Sequence, residues 1–231
     1  MITLIKKITN ETDPYKHVKK KSNNLVLKMY SALKKRVKNS KDPLETALRL
    51  SIAGNIIDYG INEQFNLKET IKEVLTKKFA IYDYIQFKDA LKNSKTLLCF
   101  IDNAGEIVLD KLLVETILEE KKLENIVFVV KGGPIINDAT LEDTLYTGLN
   151  LLPKTSFLVI SNGEEGTGPV RNSNAVKDWI NKYDLVVSKG QGNYEGLSEF
   201  HGIFFMLMAK CPLVASDLEA EVGDIILKHN K

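Results

Sequence analysis

The sequence predicts an α/β protein: a mostly parallel sheet preceded by a helical region. Three observations carry that reading. From residue 95 onward, short β-rich runs alternate with helical runs. Such alternation makes parallel βαβ units with right-handed crossovers. Before that point the chain reads as helices with one apolar face. Between the two regimes, the apolar run 97–101 stops abruptly at Asp102-Asn103-Ala104-Gly105-Glu106, and a helical pattern opens at Ile107. A buried parallel strand that ends in polar residues delivers them to the carboxyl edge of the sheet, where open α/β sheets bind ligands.

The helical region is assigned to residues 1–93. Asp13-Pro14-Tyr15 looks like an N-cap followed by proline at the first helical position. The helix it starts runs to about Val37, with Val26, Met29, Tyr30, Leu33 and Val37 on one face and Lys21, Lys28 and Lys35 on the other. Ser40-Lys41-Asp42-Pro43 is a second start, and the helix 44–59 that follows is mostly apolar, as in a helix buried over most of its surface. Asn55 and Asp58 lie three apart on it and share a side. Polar groups on a buried helix need partners, either in the protein or in a ligand. Gly60 ends this helix, Asn66 caps another over 67–77, and a short one covers 85–93. The α/β domain is assigned to residues 94–231. It has strands at 96–101, 125–130, 156–160, 184–188 and 203–209, helices at 105–120, 140–146 and 172–181, an ambiguous segment at 211–219, and an edge strand at 223–228.

The bulk numbers limit what this fold does. The chain has 231 residues, 44% hydrophobic and 27% charged, with 32 basic and 30 acidic residues and a net charge of +2. That balance provides no general attraction to nucleic acid or membrane. No run approaches the roughly 18 apolar residues of a membrane span, and the N-terminus lacks a signal-peptide core. Cys99 and Cys211, the only cysteines, both lie in apolar surroundings, as buried thiols of a reducing compartment do. A cytoplasmic protein is expected.

In a parallel sheet the loops after the strands gather on one edge, so their contents are read together. They hold Asp102, Asn103 and Glu106; then Lys131, Gly132, Gly133, Asn137 and Asp138; then 161–168, SNGEEGTG; then Lys189, Gly190, Gln191, Gly192, Asn193 and Glu195. Asp102, Asn103 and Asp138 offer the hard oxygen ligands that suit Mg²⁺, Mn²⁺ or a similar divalent ion. Lys189 adds positive charge, and Gly190 and Gly192 allow close backbone approach and an anion-binding nest. A metal beside an ammonium group matches a phosphoryl group. Taken singly, these signals have structural readings: Asp102 or Asn103 could cap the helix at 105–120, Asp138 could cap the next, and GQG could be a plain turn. The histidines His17, His201 and His229 are scattered. No nucleophile elbow or P-loop is present, and the glycine loop 190–196 reads GxGxxxG rather than GxGxxG.

Taken in order, Asp13-Pro14-Tyr15, Asp42-Pro43-Leu44, the GN..D stretch 53–58, Asp102 to Glu106, Asn137-Asp138-Ala139-Thr140, the run 184–195 and Lys210-Cys211-Pro212 resemble the DUF89 proteins, the metal-dependent damage-control phosphatases, and most closely their short prokaryotic branch. The resemblance implies a helical N-terminal region packed on a Rossmann-like α/β domain. It implies metal-dependent hydrolysis of small phosphorylated metabolites, such as sugar phosphates or phosphopantetheine-type esters. It places metal ligands on Asp102, Asn103 and Asp138 and the strand-end lysine on Lys189. Substrate contacts are expected from Asn55, Asp58, Glu106, Gly190, Gly192 and Asn193. Members of this branch often carry a further N-terminal helical segment with a CxxC pair. This chain begins shortly before Asp13 and shows no CxxC, so a wider substrate pocket is expected.

Two functional readings follow. In the first, a divalent cation (Mg²⁺, Mn²⁺, Co²⁺ or Ni²⁺) supports phosphoester hydrolysis, with Asp102, Asn103 and Lys189 as the catalytic residues. A small phosphorylated metabolite is then the partner, with no nucleic acid or membrane, and self-association is left open. The rival is a non-hydrolytic nucleotide- or S-adenosylmethionine-binding protein or transferase using the glycine loop 190–196.

Overall fold

The computed structural model describes residues 6, 8, 10–54, 67–160 and 174–231. Asn55, Asp58, the Asn66 cap and the loop 161–168 lie outside them. Seven strands form one sheet: β1 (Phe79–Tyr82), β2 (Thr96–Phe100), β3 (Asn125–Lys131), β4 (Thr155–Ile160), β5 (Leu185–Lys189), β6 (Ile203–Met208) and β7 (Ile225–Asn230), in the order β1-β7-β6-β5-β2-β3-β4. All neighbouring pairs are parallel except β6 with β7. This is the α/β fold that the strand–helix alternation predicts. Two local readings change. Residues 79–82, read as part of a helical region, form β1. The C-terminal strand β7 is not an edge, because β1 pairs with its outer side and takes the edge position. Phe79 to Tyr82 is too short a run to show a period, so only its long-range pairing with β7 identifies it as a strand.

Helices cover both faces. On one lie α1 (Lys16–Lys38), α2 (Pro43–Gly54), α3 (Leu67–Thr76), α4 (Tyr84–Asn93) and α5 (Glu106–Glu120). On the other lie α7 (Asn174–Lys182), α8 (Gln191–Leu197) and α9 (Pro212–Asp217), the last resolving the ambiguous segment as a short helix. Between β3 and β4 the chain forms α6 (Leu141–Thr147) and a 3₁₀ turn at Leu149–Leu151. The helix starts follow from the caps: Glu45 donates its N–H to Asp42 Oδ1 at 3.0 Å, with Pro43 at the first helical position. At α1, Asp13 Oδ1 accepts from Tyr15 N at 3.0 Å and the helix proper begins at Lys16.

Because side chains alternate along a strand, the two cores draw on opposite parities. Leu97, Cys99 and Ile101, Ile126, Phe128 and Val130, and Leu185 and Val187 face the α1, α2 and α5 layer. Leu98 and Phe100, Val127 and Val129, and Val186 face the α7, α8 and α9 layer. This parity governs where each strand-end residue of the site points. Strands β2, β3 and β4 run outward in one direction, and β5 then returns to the other side of β2. The strand order therefore reverses between β2 and β5, which creates the crevice in which such sheets bind ligands.

At the opposite end of that strand pair, Asp184 Oδ2 accepts from Lys95 N, Thr96 N and Thr96 Oγ1, each at 2.9 Å. The Lys95 N–H, followed by the Thr96 hydroxyl, holds this carboxyl below its ordinary value. Asp184→Ala is expected to lower the melting temperature by about 2–4 °C. A depressed carboxyl contributes stability above the ordinary carboxylate range and loses it as pH falls through the folded-state value. Melting temperatures of wild type and variant should therefore differ at neutral pH and converge in acid.

Candidate active site

The chain after β2 continues its ladder for one residue, with Ile101 N donating to Val129 O at 3.2 Å, and then turns. The segment 138–140 inserts beside the ends of β2 and β3. Asn103 bridges Asp138 antiparallel, and Lys131 bridges Thr140 parallel. Ala139 N donates to Asp102 O at 2.8 Å, Lys131 N to Ala139 O at 3.3 Å, and Ala104 N to Asn137 O at 2.9 Å. The loop after β2 and the loop after β3 are thus locked together, and to the end of β3, by backbone bonds. Ile136, a β-branched residue at φ 46°, precedes this ladder. That strained conformation persists because the flanking bonds over-determine it.

Asp102, Asn103, Asp138 and Lys131 meet in this ladder, and all are buried. Asn103 Nδ2 donates to Asp102 Oδ2 at 2.8 Å, which leaves the Asn103 carbonyl oxygen as its ligand atom. Burial, and then the charges of Glu106 and Asp138, push the Asp102 carboxyl well above its ordinary value, with Lys210 and Lys131 acting in the opposite direction. By parity, Asp102 follows Leu98 and Phe100, and Lys131 follows Val127 and Val129, onto the same side of the sheet. Gly190 makes room for Asp102 across the crevice: at φ 79°, a Cβ there would lie 1.8 Å from Asp102 Oδ2. Only glycine fits both the backbone angle and the space.

Lys189 takes the opposite parity, that of Leu185 and Val187, and leaves the sheet toward α2 and α5. Its Nζ donates to Glu106 Oε1 at 2.6 Å, Asp110 Oδ1 at 2.8 Å and Ser51 O at 3.0 Å. An ammonium has three donors, so all are taken within the protein, and the residue is fully buried. Ser51 Oγ also donates to Asp110 Oδ1 at 2.6 Å. Burial opposes charge on Lys189, but Asp110 and then Glu106 raise its pKa above the ordinary lysine value. The Asp110 carboxyl is pushed up to about 6 by burial, against the pull of Lys189. Glu106 Oε2 accepts from Asn103 N at 3.4 Å, so the buried lysine reaches the metal-ligand candidates through Glu106.

A second buried network fixes the same turn from α1. Lys19 Nζ lies 2.8 Å from both Asp13 Oδ2 and Asp143 Oδ2. Asn23 donates to Asp143 Oδ1 at 3.2 Å and accepts from Gly105 N at 2.6 Å. Asp143 in turn holds Thr140 N at 3.0 Å. Lys19, Asn23 and Asp143 were not singled out from the sequence. The signal available was a lysine and an asparagine on the apolar side of an otherwise amphipathic helix.

The structure thus brings Asp102, Asn103, Asp138 and Glu106 together, with Lys189 directly beneath them. Asn193, expected at the substrate, ties the ends of β2 and β5 together at the floor of the crevice, its amide donating to Ile101 O at 3.1 Å and Lys189 O at 2.8 Å. Gly190 N donates to Met206 O at 3.1 Å inside the sheet, and Gly192 lies in the first turn of α8. Asn55 and Asp58 lie outside the described residues, immediately beyond the end of α2, which Gly54 brings against Glu106 (a Cβ on Gly54 would lie 2.9 Å from Glu106 Cα). Lys131 was read in its loop but not as a site residue, and it stands among the acids. Cys99 is buried and Cys211 half-buried, with Gln191 Nε2 3.2 Å from the Cys211 sulfur. Among the described residues no trio of His, Cys, Asp or Glu side chains forms a ready metal cage, and no helix is long and apolar enough to cross a membrane.

Residues 1–226 match the damage-control phosphatase ARMT1-like domain. A damage-control phosphatase of Pyrococcus horikoshii is 36% identical over 230 residues, which are 97% of this chain and 77% of that protein. One from Archaeoglobus fulgidus is 34% identical over 94% of this chain and 75% of its own length. A 4'-phosphopantetheine phosphatase of Mus musculus is 29% identical over 154 residues, 59% of this chain and 18% of that protein. The crystal structure of a DUF89 family protein from Pyrococcus horikoshii superposes with a TM-score of 0.83 at 34% identity, over all of this chain and 80% of that one.

Removing one partner of a buried ion pair leaves an uncompensated charge and costs about 3–5 kcal/mol. Lys189→Met, which strands Glu106 and Asp110, is expected to lose stability on that scale in urea unfolding. A variant as stable as wild type would show that the network carries no weight in the fold.

Proposed function

The chain belongs to the damage-control phosphatase ARMT1-like family, and from that premise we propose that it is a divalent-metal-dependent phosphatase acting on small phosphomonoester metabolites. The observation that carries the metal part is the convergence of Asp102, Asn103 and Asp138 in one backbone-locked ladder. The donor set fits a hard divalent ion: two carboxylates and a carboxamide oxygen, buried together. The neighbouring acids and burial that push the Asp102 carboxyl upward are what a bound cation would offset. When bound, such a cation supplies Lewis-acid polarisation of the phosphoryl oxygens and activation of water.

The chain's own residues supply geometry. Asp102 and Asp138 present carboxylate oxygens, and Gly190 leaves room for the first of them. Glu106 holds Asn103 through its backbone N–H, and Lys189 holds Glu106. Asn193 clamps the ends of β2 and β5, so the acids cannot separate as substrate enters. Burial of these groups limits water around the reacting phosphoryl group and strengthens every charge interaction there. Of the two expected substrate classes, sugar phosphate and phosphopantetheine-like ester, the second is in line with the activity named for the mouse relative.

Phosphate release from a panel of small phosphate esters, measured after chelation and again with Mg²⁺, Mn²⁺, Co²⁺ or Ni²⁺ restored, tests this reading. Release should require metal and vanish in Asp102→Ala, with the fold retained by circular dichroism. Full activity in that variant would overturn the assignment. The added cation should raise the melting temperature of wild type and not of Asp138→Ala; equal shifts would move the ligand elsewhere. Gly190→Ala should lower the melting temperature without metal, because its backbone angle disfavours a side chain, and should lose most of the metal-induced shift, because its methyl group occupies the place of the Asp102 carboxylate.

A further inference from the structure

Lys189 and Lys131, two of the three lysines whose charge is felt at the site, differ in one respect that matters. Lys189 has spent all three donors on protein acceptors. Lys131 is just as removed from solvent, at 3% exposure, yet its Nζ has no hydrogen-bond partner among the described residues. Buried polar groups are almost always paired, and an ammonium without acceptors is the costliest kind to leave so. Burial pulls its pKa below the ordinary lysine value, and the fields of Asp138 and then Asp102 offset only part of that pull. Strand parity sends Lys131 to the same side of the sheet as Asp102, and its backbone is pinned by the bridge to Thr140. A cation alone would leave this ammonium without an acceptor. A ligand that satisfies both Lys131 and the neighbouring acids must offer anionic oxygens to the lysine while sharing a metal with the carboxylates. A phosphoryl group does both.

We infer that Lys131 is the phosphoryl-binding cation of this site, donating from Nζ to a non-bridging oxygen of the substrate and of product phosphate. Lys189, saturated beneath the site, is a positioning residue. This assignment rests on the phosphatase reading above. It makes Lys131 a determinant of anion binding rather than of fold or metal capture. Arginine at position 131 retains the charge and the donors, whereas methionine retains the length alone.

The test measures binding of inorganic phosphate by calorimetry in the presence of Mg²⁺, and ester hydrolysis, in wild type, Lys131→Met and Lys131→Arg. Loss of a charge-assisted hydrogen bond should weaken phosphate binding and raise KM roughly tenfold or more in Lys131→Met, with partial recovery in Lys131→Arg. Mn²⁺ affinity, followed by electron paramagnetic resonance, should not fall, and the melting temperature should hold, in contrast to Lys189→Met. Phosphate binding by Lys131→Met equal to that of an active wild type would overturn the assignment and leave the phosphatase reading standing. Parallel loss of phosphate and Mn²⁺ would overturn it too, by making Lys131 a support for the metal ligands. A wild type that neither hydrolyses any ester nor binds phosphate would remove the phosphatase reading, and this assignment with it.

Discussion

The structure depends on the burial of one ammonium group. Lys189 enters the interior at the end of β5 only because Glu106 and Asp110 on α5 meet it from the other side. Those acids are four apart, one turn of helix, so they share a face, and their joint contact with one nitrogen fixes both the rotation and the height of α5 on the sheet. The third acceptor, the Ser51 carbonyl, does the same for α2. Taking three ionisable groups out of water is expensive, and apolar replacements of the same shape are often no less stable. What the network adds is register. Apolar contacts tolerate a slide of an ångström or two, whereas a 2.6 Å hydrogen bond to a fully buried charge does not.

That register is transmitted to the edge of the sheet that holds the candidate site by a short path. Glu106 spends one oxygen on Lys189 and the other on the Asn103 N–H. The turn bearing Asn103 is held again by Asn23 at Gly105, and by the inserted segment 138–140. Support comes from the α1, α2 and α5 side, while Asp102 and Lys131 emerge on the opposite side of the sheet. The sheet therefore separates the residues that brace the site from the side on which Asp102 and Lys131 emerge. The split follows from strand parity and requires no extra structural element. Lys189 and Gly190 illustrate it: adjacent in sequence, one braces the helices and the other clears space for Asp102.

Much of this was legible in the residues. The alternation of β-rich and helical runs identified the parallel sheet, and the polar break after the run 97–101 identified its functional edge. Asp42-Pro43 predicted the start of α2 because a cap is a local interaction. The partners of Lys189 were not legible, since Ser51, Glu106 and Asp110 come from two helices that only the packed structure brings to it. A strand-end lysine and a glycine-rich loop read as anion-binding groups, yet the same residues serve equally well inside the fold. Counting parity from Leu185 and Val187 would have placed Lys189 with the helical layer. The same count from Val127 and Val129 would have placed Lys131 with Asp102.

The sequence by itself determined the fold class and the sheet edge at which Asp102, Asn103 and Asp138 gather, because these depend on local periodicity and on short motifs. The tertiary structure alone decided which of the described charges are spent on protein partners. The sequence shows two lysines at strand ends, and it cannot show that one is saturated by acceptors on helices 79 to 138 residues away while the other has none among the described residues. Nor could it show that β1 joins the sheet beside β7, since four residues carry too little pattern to declare their pairing. In both cases the deciding energy is a contact between distant segments, which exists only once the chain has folded.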